Sequence, residues 1–485
     1  PPPPLARGGR ACHRRAMTLR ALRRAALALA VVGLVGAAAA PIALAKRRAP
    51  APTDPVIRHE KYVLPNGLEV ILAPDSTVPL VAVNVWYHVG SGHEVPGKTG
   101  FAHLFEHMLF QGSKHVGSDR HFAVLKDIGA SEINGTTNPD RTNYFETVPS
   151  HQLETALWLE SDRMAHLLAL LTQASLDNQI EVVRNERRQR YDNVAYGKAR
   201  FALHAALYPE GHPYRYLTIG RHEDLASASL DDVIAFWRTW YVPANATLTL
   251  VGDFDPATVK PVIAKWFGSL PASTKPTPVV VPAPAPKAAR VVVDDSFAKL
   301  RQVTWAFHSP ANFAAGDAEL DLLATVLGDG GTGRLYKRLV HERQLAQSVS
   351  VYQSGSSFSG MFVASVTLSP TADLAEVEAI LGEELARVRT EPVTATELAR
   401  AVTEIEASLV WSLQGLMPRA NLLQSMNHYL GDPDRLTWSL DRYRGASPET
   451  VRAAAASTLA LEHKVVIVTQ PAAAPAAAPT SGGGK

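Results

Sequence analysis

From Gly100 to Gly112 the chain reads GFAHLFEHMLFQG, apolar almost throughout and broken by His103, Glu106 and His107. The spacing predicts a helix over about residues 99–111, with those three side chains on one face because positions three and four apart share a face. A polar stripe on an otherwise apolar helix is costly unless something satisfies it. Around this stretch the pattern predicts an Asn66-Gly67 hairpin in Tyr62–Leu72 and a strand over Pro79–Val89. A short amphipathic helix follows at Ser118–Ile128, then strand-like sequence over Glu132–Val148 with a turn at Pro139-Asp140. Helices are expected at Ser150–Leu170, Leu176–Tyr191, Leu230–Trp240 and Pro256–Phe267, with a β-branched strand at Ala246–Gly252.

The run PASTKPTPVVVPAPAPKAA is a linker by its proline content. After it the chain repeats the same succession. Strand signals stand at Ala289–Asp294, Gln302–Phe307, Ala346–Tyr352, Met361–Leu368 and His463–Thr469. Helical signals stand at Asp317–Leu327, Arg334–Glu342, 373–390 and 394–429. We therefore expect an α+β fold of two homologous units, each a sheet packed against helices. The expected division is a unit at 57–270, a linker at 271–288, a second unit at 289–470 and a disordered tail at 471–485. Setting HLFEHMLFQG over DLLATVLGDG places Asp321, Ala324 and Thr325 opposite His103, Glu106 and His107, so only the first copy carries the stripe.

Composition adds two constraints. Seven of the 48 basic residues lie in 1–45, leaving 41 against 46 acidic ones, a balance that does not suggest a nucleic-acid binder. From Met17, the basic residues Arg20, Arg23 and Arg24 precede an uncharged run, Ala25–Ala45, that closes on Ala43-Leu44-Ala45. That order predicts a signal peptide cut near Ala45, and hence a periplasmic or secreted protein; the alternative is an uncleaved membrane anchor. Residues 1–16 read as an over-extended start and 46–56 as a flexible spacer. The one cysteine, Cys12, falls in the leader, so any metal in the mature chain is held without sulfur.

His103-x-x-Glu106-His107 is HExxH reversed. Two imidazoles four positions apart on a helix suit one zinc ion, and a neighbouring glutamate can take a proton from water whose acidity the metal has raised. A catalytic zinc needs a third protein ligand. On the helix at Leu176–Tyr191, Leu176, Ile180 and Val183 form the buried face. Glu181 points away with Asp177, Arg184 and Arg188, whereas Glu186 stands on the shoulder of the buried face; Glu186 is the expected ligand. His115, His121, His151 and His166 fall on expected surface turns or helices, and no ligand is expected among them.

The pieces LPNGLEVIL, GSGHE, GFAHLFEHMLFQGS, TNYFETVP, NERRQ, HPY, LVGDF and GDGGTGRLYKRL, in that order over about residues 57–470, resemble the pitrilysin/insulinase-type zinc metallopeptidases, which include mitochondrial processing peptidase. The resemblance implies one zinc ion per chain on His103, His107 and Glu186, with Glu106 as catalytic base. It implies a peptide substrate that adds as a strand along Ile133-Asn134-Gly135, with Asn134 and Gly135 as binding residues. A second family glutamate is replaced by Gln179, and the family's Arg and Tyr in the C-terminal part are replaced by Val340 and Gln347. The chain thus has the zinc half of a site. A related subunit lacking HxxEH and supplying Arg and Tyr is the expected partner in a heterodimer, with a homodimer as the other arrangement. The expected function is an exported zinc endopeptidase or oligopeptidase; the alternative is a non-catalytic peptide-binding or scaffold subunit.

Overall fold

The computed structural model describes residues 54–472. The expected signal peptide and its cleavage site lie outside the described residues. Among the described residues no helix is long and apolar enough to cross a membrane.

The first sheet has six strands: β1 (Glu60–Val63), β2 (Glu69–Pro74), β3 (Leu80–Tyr87), β4 (Ser131–Thr137), β5 (Thr142–Pro149) and β6 (Ala246–Gly252). Their order is β1-β2-β6-β3-β5-β4. Only β2 and β6 run parallel; the other neighbours are antiparallel. The Asn66-Gly67 hairpin pairs Glu60 with Leu72 and Val63 with Glu69, as the apolar pattern requires.

The second sheet has five: β7 (Ala289–Asp295), β8 (Gln302–Ser309), β9 (Ala346–Gly355), β10 (Gly360–Leu368) and β11 (Val465–Pro471), in the order β7-β11-β8-β10-β9. Here too the only parallel pair joins the first strand to the last, β7 to β11. Removing β1 from the first sheet leaves the same order and sense. The helix Asp317–Gly328 stands in the second unit where Phe101–Met108 stands in the first. The molecule is thus a duplicated α+β unit.

Period-two alternation explains why each sheet is covered on both faces. In the first, Val70, Leu72, Val83, Val85, Leu248 and Leu250 face the core that holds the HxxEH helix. Their neighbours Ile71, Ala73, Ala82 and Val251 face the other way, onto Leu416, Met417, Ala420 and Leu423 of the helix Leu416–Leu430. In the second sheet, Ala306, Val363, Val465 and Ile467 pack on Ala199, Leu203 and Leu207 of the helix Gly197–Leu207. Each sheet therefore borrows a covering helix from the other part of the chain. Asp140, at the β4–β5 turn, ties the exchange: its carboxylate accepts from the Tyr214 hydroxyl at 2.8 Å, the Tyr429 hydroxyl at 2.6 Å and the Ser357 amide at 3.0 Å.

The continuous helix expected over 394–429 is in fact two, Ala395–Ser412 and Leu416–Leu430. Pro418 is the reason. It has no N–H and breaks a helix interior, but at the third position of a new helix that N–H is one of the unpaired ones. The break lets the second helix turn back onto the first sheet.

Candidate metal centre

The HxxEH helix, Phe101–Met108, starts at Gly100, whose φ of 90° only glycine adopts readily. Gly220 passes so close that a Cβ there would stand 2.4 Å from the Gly100 Cα. A glycine N-cap has no side chain to bond the helix's free N–H groups. Glu94 does this from outside, accepting from Gly100 N at 2.9 Å and Ala102 N at 2.8 Å. Burial pushes its carboxyl up to about 8 despite those bonds. Farther along, the Tyr144 hydroxyl on β5 donates to the Phe105 carbonyl at 3.0 Å, so the helix is held from both sheet and cap.

The neighbouring helix Gln173–Arg187 buries Leu176, Ile180 and Val183 and turns Glu186 toward the histidines. The Glu186 Oε2 lies 3.1 Å from His107 Nε2 and 3.6 Å from His103 Nε2. Its Oε1 meets Arg190 at 3.0 Å, so one oxygen faces the imidazoles and the other a guanidinium. Glu181 points away and pairs with Arg184; its side chain is 54% exposed against 16% for Glu186, which separates the two glutamates. Burial alone would raise the Glu186 carboxyl, yet the His107 hydrogen bond and the Arg190 charge hold it below the usual carboxylate range. Burial drives His103 down to about 4, so its imidazole is neutral at pH 7 and has a lone pair to offer.

These residues fit a zinc-type ion. One ligand atom from each of His103, His107 and Glu186 lies within 4.8 Å of the others, in a nitrogen, nitrogen and oxygen set. The buried His103 Nδ1 has no hydrogen-bond partner among the described residues.

Glu106 shares the helix face but points to β4, where the Thr137 hydroxyl donates to its Oε2 at 2.6 Å. Burial raises its carboxyl above the ordinary range, and the Thr137 bond opposes the rise. Gly135 permits the close approach: a Cβ there would sit 3.0 Å from both Glu106 Cγ and Phe110 Cε2. Asn134 and Gly135 pair with Phe145 and Tyr144 of β5, and β4 is the last strand of the sheet. Its outer edge has no strand partner among the described residues, while Asn134 is exposed and Gly135 buried. A β-bulge before Asn134, with Glu132 at φ 53°, bends this edge.

Sequence reasoning passed over Thr137 and Glu94. Thr137 sits in a strand with no marking apart from period-two alternation with Gly135. Glu94 stands six residues before the glycine cap it replaces, too far for a capping-box pattern. Gln179 is buried. Val340 packs against the core of the second sheet, and Gln347 is exposed on β9. One expectation about the other histidines fails. His121 is buried beside Phe110, because its helix presses that face onto the core. His115 and His166 are brought together with Asp162.

Two family models match the chain: Insulinase (Peptidase family M16) over residues 69–216 and Peptidase M16 inactive domain over residues 227–405. The chain is 27% identical over 369 residues to the zinc protease PqqE of Helicobacter pylori, covering 75% of this chain and 82% of that protein. Its fold superposes on the crystal structure of a protease from Helicobacter pylori with a TM-score of 0.78 at 25% identity, covering 85% of this chain and 99% of that one. The periplasmic protease PqqL from Escherichia coli gives a TM-score of 0.72 at 18% identity; 88% of this chain matches 50% of that one.

Proposed function

Because the chain belongs to the pitrilysin/insulinase-type metallopeptidases, we propose that it is an exported zinc-dependent endopeptidase or oligopeptidase. The observation that carries this reading is the convergence of His103, His107 and Glu186 beside Glu106 at an open sheet edge. A zinc ion on those three residues would supply Lewis acidity to a water molecule and to the scissile carbonyl.

The protein's own residues do the rest. Backbone groups along the β4 edge bind an extended peptide as an added strand, a mode that asks for little sequence. Gly135 keeps that strand against the helix, so a peptide on the edge lies beside Glu106. Glu106, held by Thr137, takes the proton of the attacking water and can return it to the departing amine. Burial raises that carboxyl above the ordinary range, the direction that suits a proton-exchanging base. Arg190 holds Glu186 in place by its outer oxygen.

At the two positions that correspond to the family's Arg and Tyr, Val340 has no polar side-chain hydrogen and Gln347 carries an amide in place of a phenol, so neither supplies the family's oxyanion donors. PqqL, twice the length matched here, is compatible with two such halves working together. A related subunit lacking HxxEH is therefore the proposed source of Arg and Tyr. The rival reading, a peptide-binding subunit without catalysis, rests on the same two substitutions.

Both parts are tested by purifying the chain alone and with a co-expressed related subunit, then following a mixed peptide library by mass spectrometry. The pair should cleave, a chelator should stop it and zinc restore it. The chain alone should be slower by about 10²-fold or more, the usual cost of a lost oxyanion donor. Cleavage that survives complete metal removal sinks the metallopeptidase reading. Equal rates for the chain and the pair sink the partner.

A further inference from the structure

We propose a second site for a divalent transition ion, built by His115, Asp162 and His166 on the segment that leaves the HxxEH helix. One ligand atom from each of the three lies within 4.8 Å of the others. Asp162 and His166 are four apart on the helix Leu153–His166, so both point to one side. His115 comes from the loop after the HxxEH helix, and its ring meets that of His166 edge-on with centroids 5.0 Å apart.

The carboxylate is held before any ion arrives. Asp162 Oδ2 accepts from the Ser113 hydroxyl and from the His115 amide at 3.2 Å. Its other oxygen lies 2.5 Å from His115 Nδ1. An ion entering here displaces the proton shared by that nitrogen and oxygen, and His166 closes the set. The Asp162 side chain is 4% exposed while that of His115 is 50% exposed. A fixed buried oxygen beside a half-exposed imidazole leaves a route for the ion and room for water to complete its shell.

The donor set decides the class. Two imidazoles and one carboxylate suit Zn2+, Co2+, Ni2+ or Cu2+, whereas Ca2+ and Mg2+ demand oxygen. The ion would clamp the segment after the HxxEH helix to the helix Leu153–His166. Ser113 anchors that segment further, with its carbonyl accepting from Gly117 N at 2.9 Å.

The test is zinc stoichiometry by equilibrium dialysis and metal analysis on the full chain and two double variants. Wild type should bind two zinc ions per chain, one at each group. His115→Asn with His166→Asn should leave one, with affinity for the second weakened at least about 100-fold, beyond what loss of a mere supporting residue costs. His103→Asn with His107→Asn should also leave one, now sensitive to His115 and His166. A His115/His166 variant that binds as much zinc as wild type overturns the proposal, as does a His103/His107 variant that binds none. Should the double variant fail to fold, His166→Asn alone, at a helix end, must still weaken the second ion; unchanged binding refutes the site. Loss of zinc at only one of the two pairs tells this site's failure from that of the first centre.

Discussion

Glu106→Gln keeps its zinc and loses peptide cleavage, with kcat down by about 10²–10⁴-fold, the range for removing a positioned general base. The substitution changes one atom and leaves an oxygen for the Thr137 hydroxyl. It should not disturb His103, His107 or Glu186, whose contacts are with one another and not with Glu106. KM should stay nearly constant, because on the proposed reading peptide is held by backbone groups of the β4 edge and the lost interaction belongs to the transition state. Zinc analysis and steady-state kinetics on one preparation check both halves. A variant that cleaves within a few fold of wild type would place the base elsewhere.

Arg163→Met should cost about 3–5 kcal/mol of folding stability, the usual result of stripping one partner from a buried ion pair. Arg163 is 1% exposed and lies beneath the HxxEH helix, where its guanidinium stands 4.3 Å from the Tyr144 ring centroid and 5.3 Å from that of Phe110. Two buried carboxylates compete for it. Glu160 makes the close pair, with its Oε2 2.8 Å from Arg163 Nε, while Glu146 stays 3.9 Å away. Burial, with Glu160 as a negative neighbour, pushes the Glu146 carboxyl well up, and Glu160 is the carboxylate in direct contact with Arg163. Methionine would leave Glu160 without a counter-charge. Urea denaturation reads the loss, and adding Glu160→Gln should recover much of it, the mark of direct coupling. A loss under about 1 kcal/mol would mean that water or another group reaches Glu160 and that the pair is no anchor.

The two predictions concern two helices, Phe101–Met108 and Leu153–His166, and these differed in how far they could be read from sequence. His103, Glu106 and His107 were plain because a polar stripe on an apolar helix has no cheap structural explanation. Glu186 was separable from Glu181 because the buried face of its helix sets which glutamate turns inward. The duplicated unit was legible from repeated element order, and the strands of both sheets from period-two alternation. The exchange of helices Gly197–Leu207 and Leu416–Leu430 was not. Both are apolar enough to be buried, but nothing in a periodic pattern says which sheet a helix covers, and Pro418 marks a break only once the turn is seen. Glu94, Thr137 and the His115–Asp162–His166 cluster escaped for the same reason: each depends on contacts across distant segments. Arg163 in the run SDRMAH gives no sign that it is the largest fully buried side chain among the described residues.

The central claim is that His103, His107 and Glu186 hold the ion that Glu106 works beside. Diffraction from crystals of the zinc-loaded chain, collected on both sides of the zinc absorption edge, tests it directly. The account predicts an anomalous peak enclosed by those three side chains. A zinc-replete crystal with no peak there would contradict it.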